Sequence, residues 1–467
     1  MINWLKRQWR EHTAETAFLL IAVVFGLLFV FVVPPTQAAD ETTHFYRAYQ
    51  LSEGHILSTK VEQGYGAYLP RDVQTVSKQL FGNIPSHYER LFNYHQIPGL
   101  LKTKINSHDL VPVHLEGSTV YSPVPYIPQI LAIWVARIAW PSVALMYYLG
   151  RLANLLVWIA LMYLAIRLWP YNKWSMFALA LIPMSLSQGA TMSPDALTNS
   201  LAFATIAGIF YLAHKRSEAK LTNRQLGLIL LAIVLLALCK PVFFVLAPLV
   251  LILNRKQLGG RQRYLIFASI TILAALIVTA VWNGAVSAYS VAIQHYYYPA
   301  PNVDKGRQLV HIIKHPLGFA YTLGRTYISS LGDLYVKSFI GRLGWWDVDM
   351  PIWLIAGTYT LMTLSIINRE PKEPRFTRRQ QLLSGAIFVA GFLAISGTLY
   401  LTLTPVGEHF IVGMQGRYFI PFTPLLIPVF GGLLEVKDWN KKAKWLFPIS
   451  YSLILTTSLI VVLSRFI

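Results

Sequence analysis

The sequence predicts an all-α fold, a polytopic bundle of transmembrane helices. Hydrophobic residues make up 55% of the 467 positions and charged residues only 13%, whereas a soluble protein carries roughly 25% charged residues. Several apolar runs approach the ~20 residues that cross a bilayer as a helix. Lys and Arg concentrate in the short connectors between those runs, as in the cytoplasmic loops of membrane proteins. We therefore expect one integral membrane domain over residues 1–467.

The net charge of +19 does not indicate a nucleic-acid partner, because the cations are dispersed among short connectors rather than gathered on a soluble face. The only cysteine, Cys239, excludes an intramolecular disulfide and a Cys-based metal site. Lys6, Arg7 and Arg10 make the N-terminus basic, which places it in the cytoplasm. The alternative to an uncleaved first helix is a signal peptide, but the apolar core 17–33 is long for one and two prolines precede the candidate cleavage site.

Alternation from a cytoplasmic N-terminus assigns each later segment to one side of the membrane. Residues 35–120 become a first outer loop and residues 285–350 a second one. Residues 121–141 are apolar but interrupted by prolines, and alternation makes them an outer interfacial or re-entrant helix. About eleven crossings are expected, over residues 14–33, 143–167, 174–190, 196–213, a short pair within 225–253 that breaks at Lys240, 264–284, 351–368, 382–403, 418–434 and 445–465.

Two adjacent carboxylates, Asp40 and Glu41, follow the first helix. In a helix that starts at Asp40, His44 and Arg47 lie at i+4 and i+7 on the same face. Such a stripe suits general-base chemistry beside an anion, with the carboxylate taking a hydroxyl proton and the cation facing a phosphate. The alternative is an N-terminal helix cap, since acidic residues favour the first turn. The sequence favours neither interpretation.

Three more ionisable residues lie in or beside apolar runs. Ser193-Pro194-Asp195 has the pattern of a helix start, and the alternative for Asp195 is contact with a sugar hydroxyl or a metal. Charges at membrane depth indicate function by default, so Arg151 and Lys240 are candidates for neutralising a phosphate below the headgroups. The alternatives are pairing with an acid for Arg151 and snorkelling for Lys240.

Two arginines flanked by glycine are expected near the outer surface. Arg342 lies in the second outer loop, and Arg417 precedes the tenth crossing. Arginine is a planar donor that suits phosphate, and a snorkelling interfacial arginine is the alternative for each. The tract His295-Tyr296-Tyr297-Tyr298-Pro299 offers aromatic faces for a sugar. The sequence contains no phosphate-cradling Gly-rich loop, so an activated donor has to come from outside the chain, for example on a lipid.

Several motifs occur in a fixed order along the chain and carry a family resemblance. They are Pro-Pro (34–35), Asp-Glu (40–41), Tyr-Leu-Gly-Arg-Leu-Ala-Asn (148–154), Met-Ser-Pro-Asp-Ala-Leu-Thr (192–198), Gly-Arg-Leu-Gly-Trp (341–345) and Gln-Gly-Arg-Tyr-Phe (415–419). With them the chain resembles, over nearly its whole length, a family of bacterial polytopic membrane proteins catalogued as a domain of unknown function and grouped with the GT-C glycosyltransferases.

The resemblance implies an inverting enzyme of the bacterial cytoplasmic membrane that transfers a sugar from a polyprenyl-phosphate donor to a cell-envelope glycan or a lipid-linked acceptor. GT-C enzymes carry an acid in the first outer loop near the end of the first helix, which corresponds to Asp40 with Glu41 adjacent. Some members bind a divalent metal there and others do not, so a metal on these two residues stays open. We expect the substrate-binding residues to be His44, Arg47, Arg151, Asp195, Lys240, Arg342 and Arg417. Membrane lipids are the surroundings in which the substrate binds.

Two alternatives to the transferase share its substrates. A transporter or flippase of a lipid-linked glycan explains buried cations equally well, but it predicts discontinuous helices in matching halves of the chain. A glycan polymerase or ligase usually has its large outer loop late in the chain.

Overall fold

The computed structural model describes residues 13–62, 64–85, 87–214, 220–289 and 302–467. The N-terminal cations and the tract 295–299 lie outside the described residues. The fold is mostly helical, as predicted, with only short strands. Six of the described helices are long and apolar enough to cross a membrane: Thr13–Val32, Val143–Leu168, Asp195–His214, Arg261–Ala285, Arg378–Thr402 and Trp439–Phe466. The prediction of a multi-pass membrane protein is confirmed.

Burial separates the centre of the bundle from its periphery. Within the most apolar window of Asp195–His214, 78% of the residues are buried inside the protein, against 17% in Arg261–Ala285. The first of these helices therefore lies at the centre, and the second presents most of its surface to lipid. Shorter apolar segments complete the bundle: Val124–Ala139, Asn223–Cys239, Pro241–Ile252 and Ile352–Ile367.

Prolines interrupt three of the apolar segments, because proline lacks the amide hydrogen that continues an α-helix. Lys173–Ala180 is followed by Pro183–Gly189, and Asn223–Cys239 by the 3₁₀ segment Pro241–Ile252. The break at Lys240 lies where the sequence predicts it. The third interrupted segment is the 3₁₀ stretch Gly416–Leu425, which continues as Leu426–Phe430. Long 3₁₀ stretches are uncommon and often mark functional positions.

Residues 35–120, predicted as the first outer loop, contain a small sheet that the sequence analysis did not predict. Its three antiparallel strands are Thr59–Val61, Gly64–Pro70 and Leu110–His114. Gly66 lies against the partner strand, since a Cβ there would come within 2.0 Å of the Val113 carbonyl oxygen. The other elements of this loop are the helices Glu41–Ser52, Arg71–Phe81 and Ile97–Lys102 and the single turns Tyr94–Gln96 and Glu116–Val120.

A short helix, Ile127–Ala139, follows this loop where an interfacial segment was predicted. One side of it is bare, with Ile138 88% exposed. Trp134, one turn earlier on the same side, attaches the helix to the end of Glu41–Ser52, because its indole donates to the Ser52 carbonyl at 2.8 Å. Its position at the membrane interface stays a prediction.

The second outer loop folds back onto the first. It contains the helices Lys305–Lys314 and Pro316–Ser330, the π-helical turn Leu331–Lys337 and the short helix Ser338–Ile340. A two-stranded hairpin follows, Arg342–Leu343 paired with Val348–Asp349. The tip of the hairpin contacts the turn after the first helix: the Ala39 amide donates to the Gly344 carbonyl at 3.1 Å, and the Trp345 indole donates to the Thr36 carbonyl at 3.0 Å.

Two contacts near the chain end hold these parts together. Arg465, in the last turn of Trp439–Phe466, forms a buried ion pair with Asp347 of the hairpin at 2.9 Å. At the other end of the bundle, Asn368–Arg369 pairs in parallel with Leu434–Glu435. The hairpin is therefore fixed over the end of the first helix.

Candidate functional site

The turn between the first helix and Glu41–Ser52 has two residues with left-handed backbone conformations. Thr36 has φ 72° and Asp40 has φ 60°. Positive φ is rare for a β-branched residue such as threonine, and each such residue costs about 1–3 kcal/mol unless its surroundings hold it. The neighbouring carboxylate provides part of that support, since Glu41 Oε2 accepts the Thr36 amide at 2.7 Å.

Glu41 and Arg151 form a buried two-pronged ion pair that holds this turn. Arg151 Nε and Nη2 lie 2.7 and 2.6 Å from the two Glu41 oxygens, and neither side chain is more than 1% exposed. The remaining donors of Arg151 go to the carbonyls of Val30, Val33 and Pro34. All five N–H groups of the guanidinium are thus used, and pairing with an acid is the interpretation of Arg151 that the geometry supports.

Asp40 differs from Glu41 in its exposure and in its contacts. Asp40 occupies the N-cap position of helix Glu41–Ser52 and Glu41 lies in its first turn, but the Asp40 side chain makes no capping hydrogen bond and is 47% exposed. Its Oδ2 lies 3.7 Å from Arg417 Nη2. Of the two acids, Asp40 is therefore the one with oxygen atoms accessible to a substrate.

Asp195 and Lys240 form a second ion pair next to Asp40. Asp195 begins its helix as predicted, with its amide donating to Ser193 Oγ at 3.1 Å. Its second carboxylate oxygen accepts the Gln188 side chain at 2.8 Å. Lys240 Nζ also lies 5.7 Å from the ring centre of Tyr121. Its charge is paired rather than snorkelling to the surface.

His44 is buried beneath these charges. Its Nδ1 lies 2.8 Å from the Tyr126 hydroxyl. Burial lowers the pKa of His44 to about 4, with the negative charge of Asp40 acting in the opposite direction. Asp195, Lys240 and Arg417 act on the same imidazole electrostatically. We call Asp40, His44, Asp195, Lys240 and Arg417 the charged cluster.

The two other predicted substrate-binding arginines lie in different surroundings. Arg47 is fully buried and donates to the Gln50 side chain and to the carbonyls of Ile56 and Tyr121 at 2.5–2.9 Å. Burial lowers the pKa of Arg47 to about 10. Its contacts tie the first outer loop together rather than face the charged cluster. Arg342 pairs with Asp349 at 3.1 Å and lines a cleft with Arg417.

This cleft opens beside Asp40, between the turn, the hairpin and helix Pro183–Gly189. Ala39 lines it next to Asp40. Polar side chains that accept or donate hydrogen bonds make up much of its wall, together with one indole: Ser187, Gln188, Thr191, Ser193, Ser338, Trp346 and Gln415. Arg417 Nε is buried there without a hydrogen-bond partner. These groups can exchange hydrogen bonds with hydroxyls, and the two arginines can pair with an anion.

Sequence reasoning did not identify several residues of this site. Gln188 and Ser338 lie in apolar runs and gave no signal as single polar residues. The ion pair of Asp347 with Arg465 joins positions 118 apart, and only the motif around Arg342 pointed to that loop. The structure explains why a glycine occupies position 416, because a Cβ there would come within 2.3 Å of the Tyr335 carbonyl oxygen.

The family of the chain follows from its sequence as a whole. The family described as predicted membrane protein (DUF2142) matches residues 23–426. The chain belongs to the DUF2142 family. The DUF2142 match includes every residue of the charged cluster and both outer loops, but not the last helix with Arg465. No curated protein and no solved structure matches the chain.

The residues at the DUF2142 site do not fit a divalent metal held by the two acids. Both oxygens of Glu41 accept hydrogen bonds, from Arg151, Thr36 and the Met192 amide. Within the described part of the chain, no group of three or more His, Cys, Asp or Glu side chains is placed to hold a metal ion. We therefore derive no step through a metal.

The low pKa of His44 predicts a loss of stability on acidification. The unfolded chain binds a proton at this imidazole below pH about 6.5, whereas the folded protein does so only near pH 4. Stability should therefore fall between these values as the pH is lowered, by on the order of 3 kcal/mol in total. His44→Gln should flatten that dependence in thermal unfolding at pH 4.5–7.5, and an unchanged slope would contradict a neutral buried His44.

Proposed function

We propose that the protein is an inverting membrane glycosyltransferase that uses a polyprenyl-phosphate-linked sugar at the outer face of a bacterial cytoplasmic membrane, with the N-terminus in the cytoplasm. One observation carries the proposal: an accessible carboxylate, Asp40, lies 3.7 Å from Arg417, and this arginine lines a polar cleft together with Ala39, the residue before Asp40. Asp40 is also held in a strained turn that the buried pair of Glu41 and Arg151 supports. Strained conformations cluster at functional sites.

The proposed topology is GT-C-like, with about eleven crossings. Besides the six long helices, Asn223–Cys239 rises about 25 Å as an α-helix. The 12-residue segment Pro241–Ile252 rises about 24 Å because a 3₁₀ helix advances further per residue. Ile352–Ile367 and the interrupted segments 173–189 and 416–430 supply the rest. These lengths are compatible with crossing a hydrocarbon layer ~30 Å thick when flanking residues reach the interface.

In the proposed reaction, Asp40 takes the proton of the acceptor hydroxyl. The acceptor oxygen then forms a bond to the anomeric carbon of the donor sugar as the bond from that carbon to the phosphate oxygen breaks, which inverts the configuration. The prenyl phosphate leaves with the electron pair of the broken bond. Arg417 and Arg342 stabilise the charge that develops on it, an interaction that is strong in a site shielded from water.

Lys240 and Asp195 contribute indirectly. Their charges cancel, so the pair adds little net charge to the cleft. Lys240 is held between the rings of Tyr121 and Tyr418, directly before the 3₁₀ segment that begins at Pro241. Phe243 of that segment packs against Phe422, with ring centres 5.2 Å apart. Both rings are buried, so we propose that the donor's prenyl chain lies in a lipid-open groove beside the segments Asn223–Cys239 and Pro241–Ile252.

A flippase of a lipid-linked glycan is the second candidate. The observation in its favour is that three apolar segments are discontinuous, at Pro183, at Lys240 and at the 3₁₀ stretch Gly416–Leu425. Transporters bind substrate at such breaks. The flippase, however, gives no role to an accessible carboxylate in a strained turn.

The test is a transfer assay with the purified full-length protein in vesicles. The donors are undecaprenyl-phosphate-linked hexoses with a radiolabelled sugar, and the acceptors are the lipids and glycans extracted from the host envelope. Appearance of label in the acceptor fraction supports the proposal. Movement of a fluorescent lipid-linked oligosaccharide across the vesicle bilayer, without transfer to any acceptor, would replace it with the flippase.

Arg417→Gln is expected to lower transfer by roughly 10²–10³-fold, because the leaving phosphate then loses the positive charge and the N–H groups that stabilise it. Arg417→Lys should recover part of the loss, since it restores the charge without the planar fork. The matched control is Arg71→Gln, which removes an exposed arginine paired with Asp109 on the same outer loop. Equal rates for Arg417→Gln and the control would remove Arg417 from the mechanism.

A further inference from the structure

A group of arginines surrounds one tyrosine at the far end of the 3₁₀ segment Pro241–Ile252, about 24 Å from Lys240. Tyr264 is only 4% exposed. Its hydroxyl accepts Arg379 Nη2 at 2.6 Å and donates to the Leu251 carbonyl at 3.0 Å. The guanidinium carbons of Arg255 and Arg379 lie 5.7 and 5.8 Å from its ring centre.

Among the described residues, no carboxylate is paired with these arginines. None of the ion pairs between described residues includes Arg255, Arg378 or Arg379. A nearby polar cavity shows the contrast, because Arg369 and Arg375 in its wall both contact the carboxylate of Glu435. Cations gathered without counter-charge repel one another, and an anion among them lowers that repulsion.

The walls of the Tyr264 pocket are apolar as well as cationic. Leu251, Leu382 and Leu383 line it together with Arg378 and Arg379. Leu382 is 63% exposed, and the pocket lies where the membrane-spanning helix Arg378–Thr402 begins. A soluble anion would contact the arginines but not the leucines, whereas a phospholipid would contact both, because its phosphate lies directly above its acyl chains.

We propose that the Tyr264 pocket binds an anionic phospholipid, with its phosphate among Arg255, Arg378 and Arg379 and its acyl chains along Leu251 and Leu382. Basic pockets between membrane helices at the membrane surface bind such headgroups. With the orientation proposed above, this lipid belongs to the inner leaflet. The site is independent of the transferase proposal, since none of its residues lines the cleft beside Asp40.

The first test is native mass spectrometry of the detergent-solubilised protein titrated with dioleoylphosphatidylglycerol or dioleoylphosphatidylcholine. The unaltered protein is expected to retain phosphatidylglycerol in preference to phosphatidylcholine. Arg378→Gln with Arg379→Gln should weaken that binding by roughly 30-fold, since a basic residue at a lipid surface contributes about a factor of five. The control is Lys442→Gln with Lys444→Gln, which removes two cations from the start of Trp439–Phe466.

The outcomes are distinct. Retention of phosphatidylglycerol by the lysine control variant but not by the arginine variant supports the site. Equal loss in both variants, or equal retention of both lipids by the unaltered protein, overturns it. Competition by inorganic phosphate alone, at millimolar concentration, would show a site for soluble phosphate and would also overturn the lipid assignment.

A second measurement needs no substitution. Phosphatidylglycerol with a photoreactive diazirine near the start of one acyl chain should label the peptide that contains Leu382 and Leu383 more strongly than the same probe on phosphatidylcholine. Equal labelling by the two probes would contradict a phosphate-specific site, even if the arginine variant failed to fold.

Discussion

Replacing Asp40 with Asn is expected to lower sugar transfer by roughly 10²–10⁴-fold, the usual contribution of a general base, while the protein stays folded. The amide keeps the size of the side chain but cannot take the acceptor proton. The expected loss is in the turnover rate rather than in donor binding, because the phosphate contacts of Arg417 and Arg342 remain. Initial rates over a range of donor concentrations separate these two effects.

The structure explains why asparagine is the informative replacement. Asp40 has φ 60°, a conformation that asparagine adopts more readily than most residues. Its side chain is half-exposed and makes no capping bond, so its removal breaks only the 3.7 Å contact with Arg417. Asp40→Ala would add backbone strain and confuse the result.

Asp109→Asn is the matched control for this experiment. Asp109 is also a partly exposed acid of the first outer loop paired with an arginine, but its partner Arg71 does not line the cleft, whereas Arg417, the partner of Asp40, does. Its exposed ion pair should contribute about 0–1 kcal/mol, and transfer should be unaffected. Transfer by Asp40→Asn at the rate of this control would reject Asp40 as the base.

The membrane part of the fold could be predicted because lipid imposes strong constraints on sequence. Apolar runs located the apolar segments within a few residues, and Pro241 marked the interruption at Lys240. The interruptions within the predicted crossings 174–190 and 418–434 were not predicted. The three-stranded sheet was missed because its strands are short and its third strand is about 40 residues from the second, so their pairing has no local signal.

The site was predictable in part. The sequence brought Asp40 to attention, but it did not distinguish Asp40 from Glu41, since the two adjacent acids have the same charge and the same position relative to the helix. Their difference arises from the backbone turn and from Arg151, 110 positions away in the chain. Pairing between distant segments also determines the partner of Lys240, and neither residue type nor spacing indicates such a pairing.

Glu41→Gln is expected to destabilise the protein by about 3–5 kcal/mol, which is the usual effect of removing one member of a buried ion pair. Glutamine has the same shape, but its amide nitrogen would face the Arg151 donors, and the guanidinium would be left buried without a counter-charge. Glutamine has one side-chain oxygen where glutamate has two, so either the Thr36 amide or the Met192 amide would also lose its acceptor.

The single cysteine offers a direct measurement of this loss. Cys239 is fully buried, so a thiol-reactive fluorescent dye labels it only when the helix bundle opens. The labelling midpoint on heating should fall markedly for Glu41→Gln. For the control Glu53→Gln, which breaks the partly exposed pair with Arg137, the shift should be small because such pairs contribute little.

Combining Glu41→Gln with Arg151→Met tests whether the two side chains act together. Methionine removes the buried charge, so the double variant should be more stable than the sum of the single effects predicts, by about 0.5–3 kcal/mol. It should not reach the stability of the unaltered protein, because the carbonyls of Val30, Val33 and Pro34 lose their donors. Transfer should stay low in the double variant, since Asp40 would no longer be held at the cleft. Strictly additive effects, or full transfer in the double variant, would show that this pair does not position Asp40.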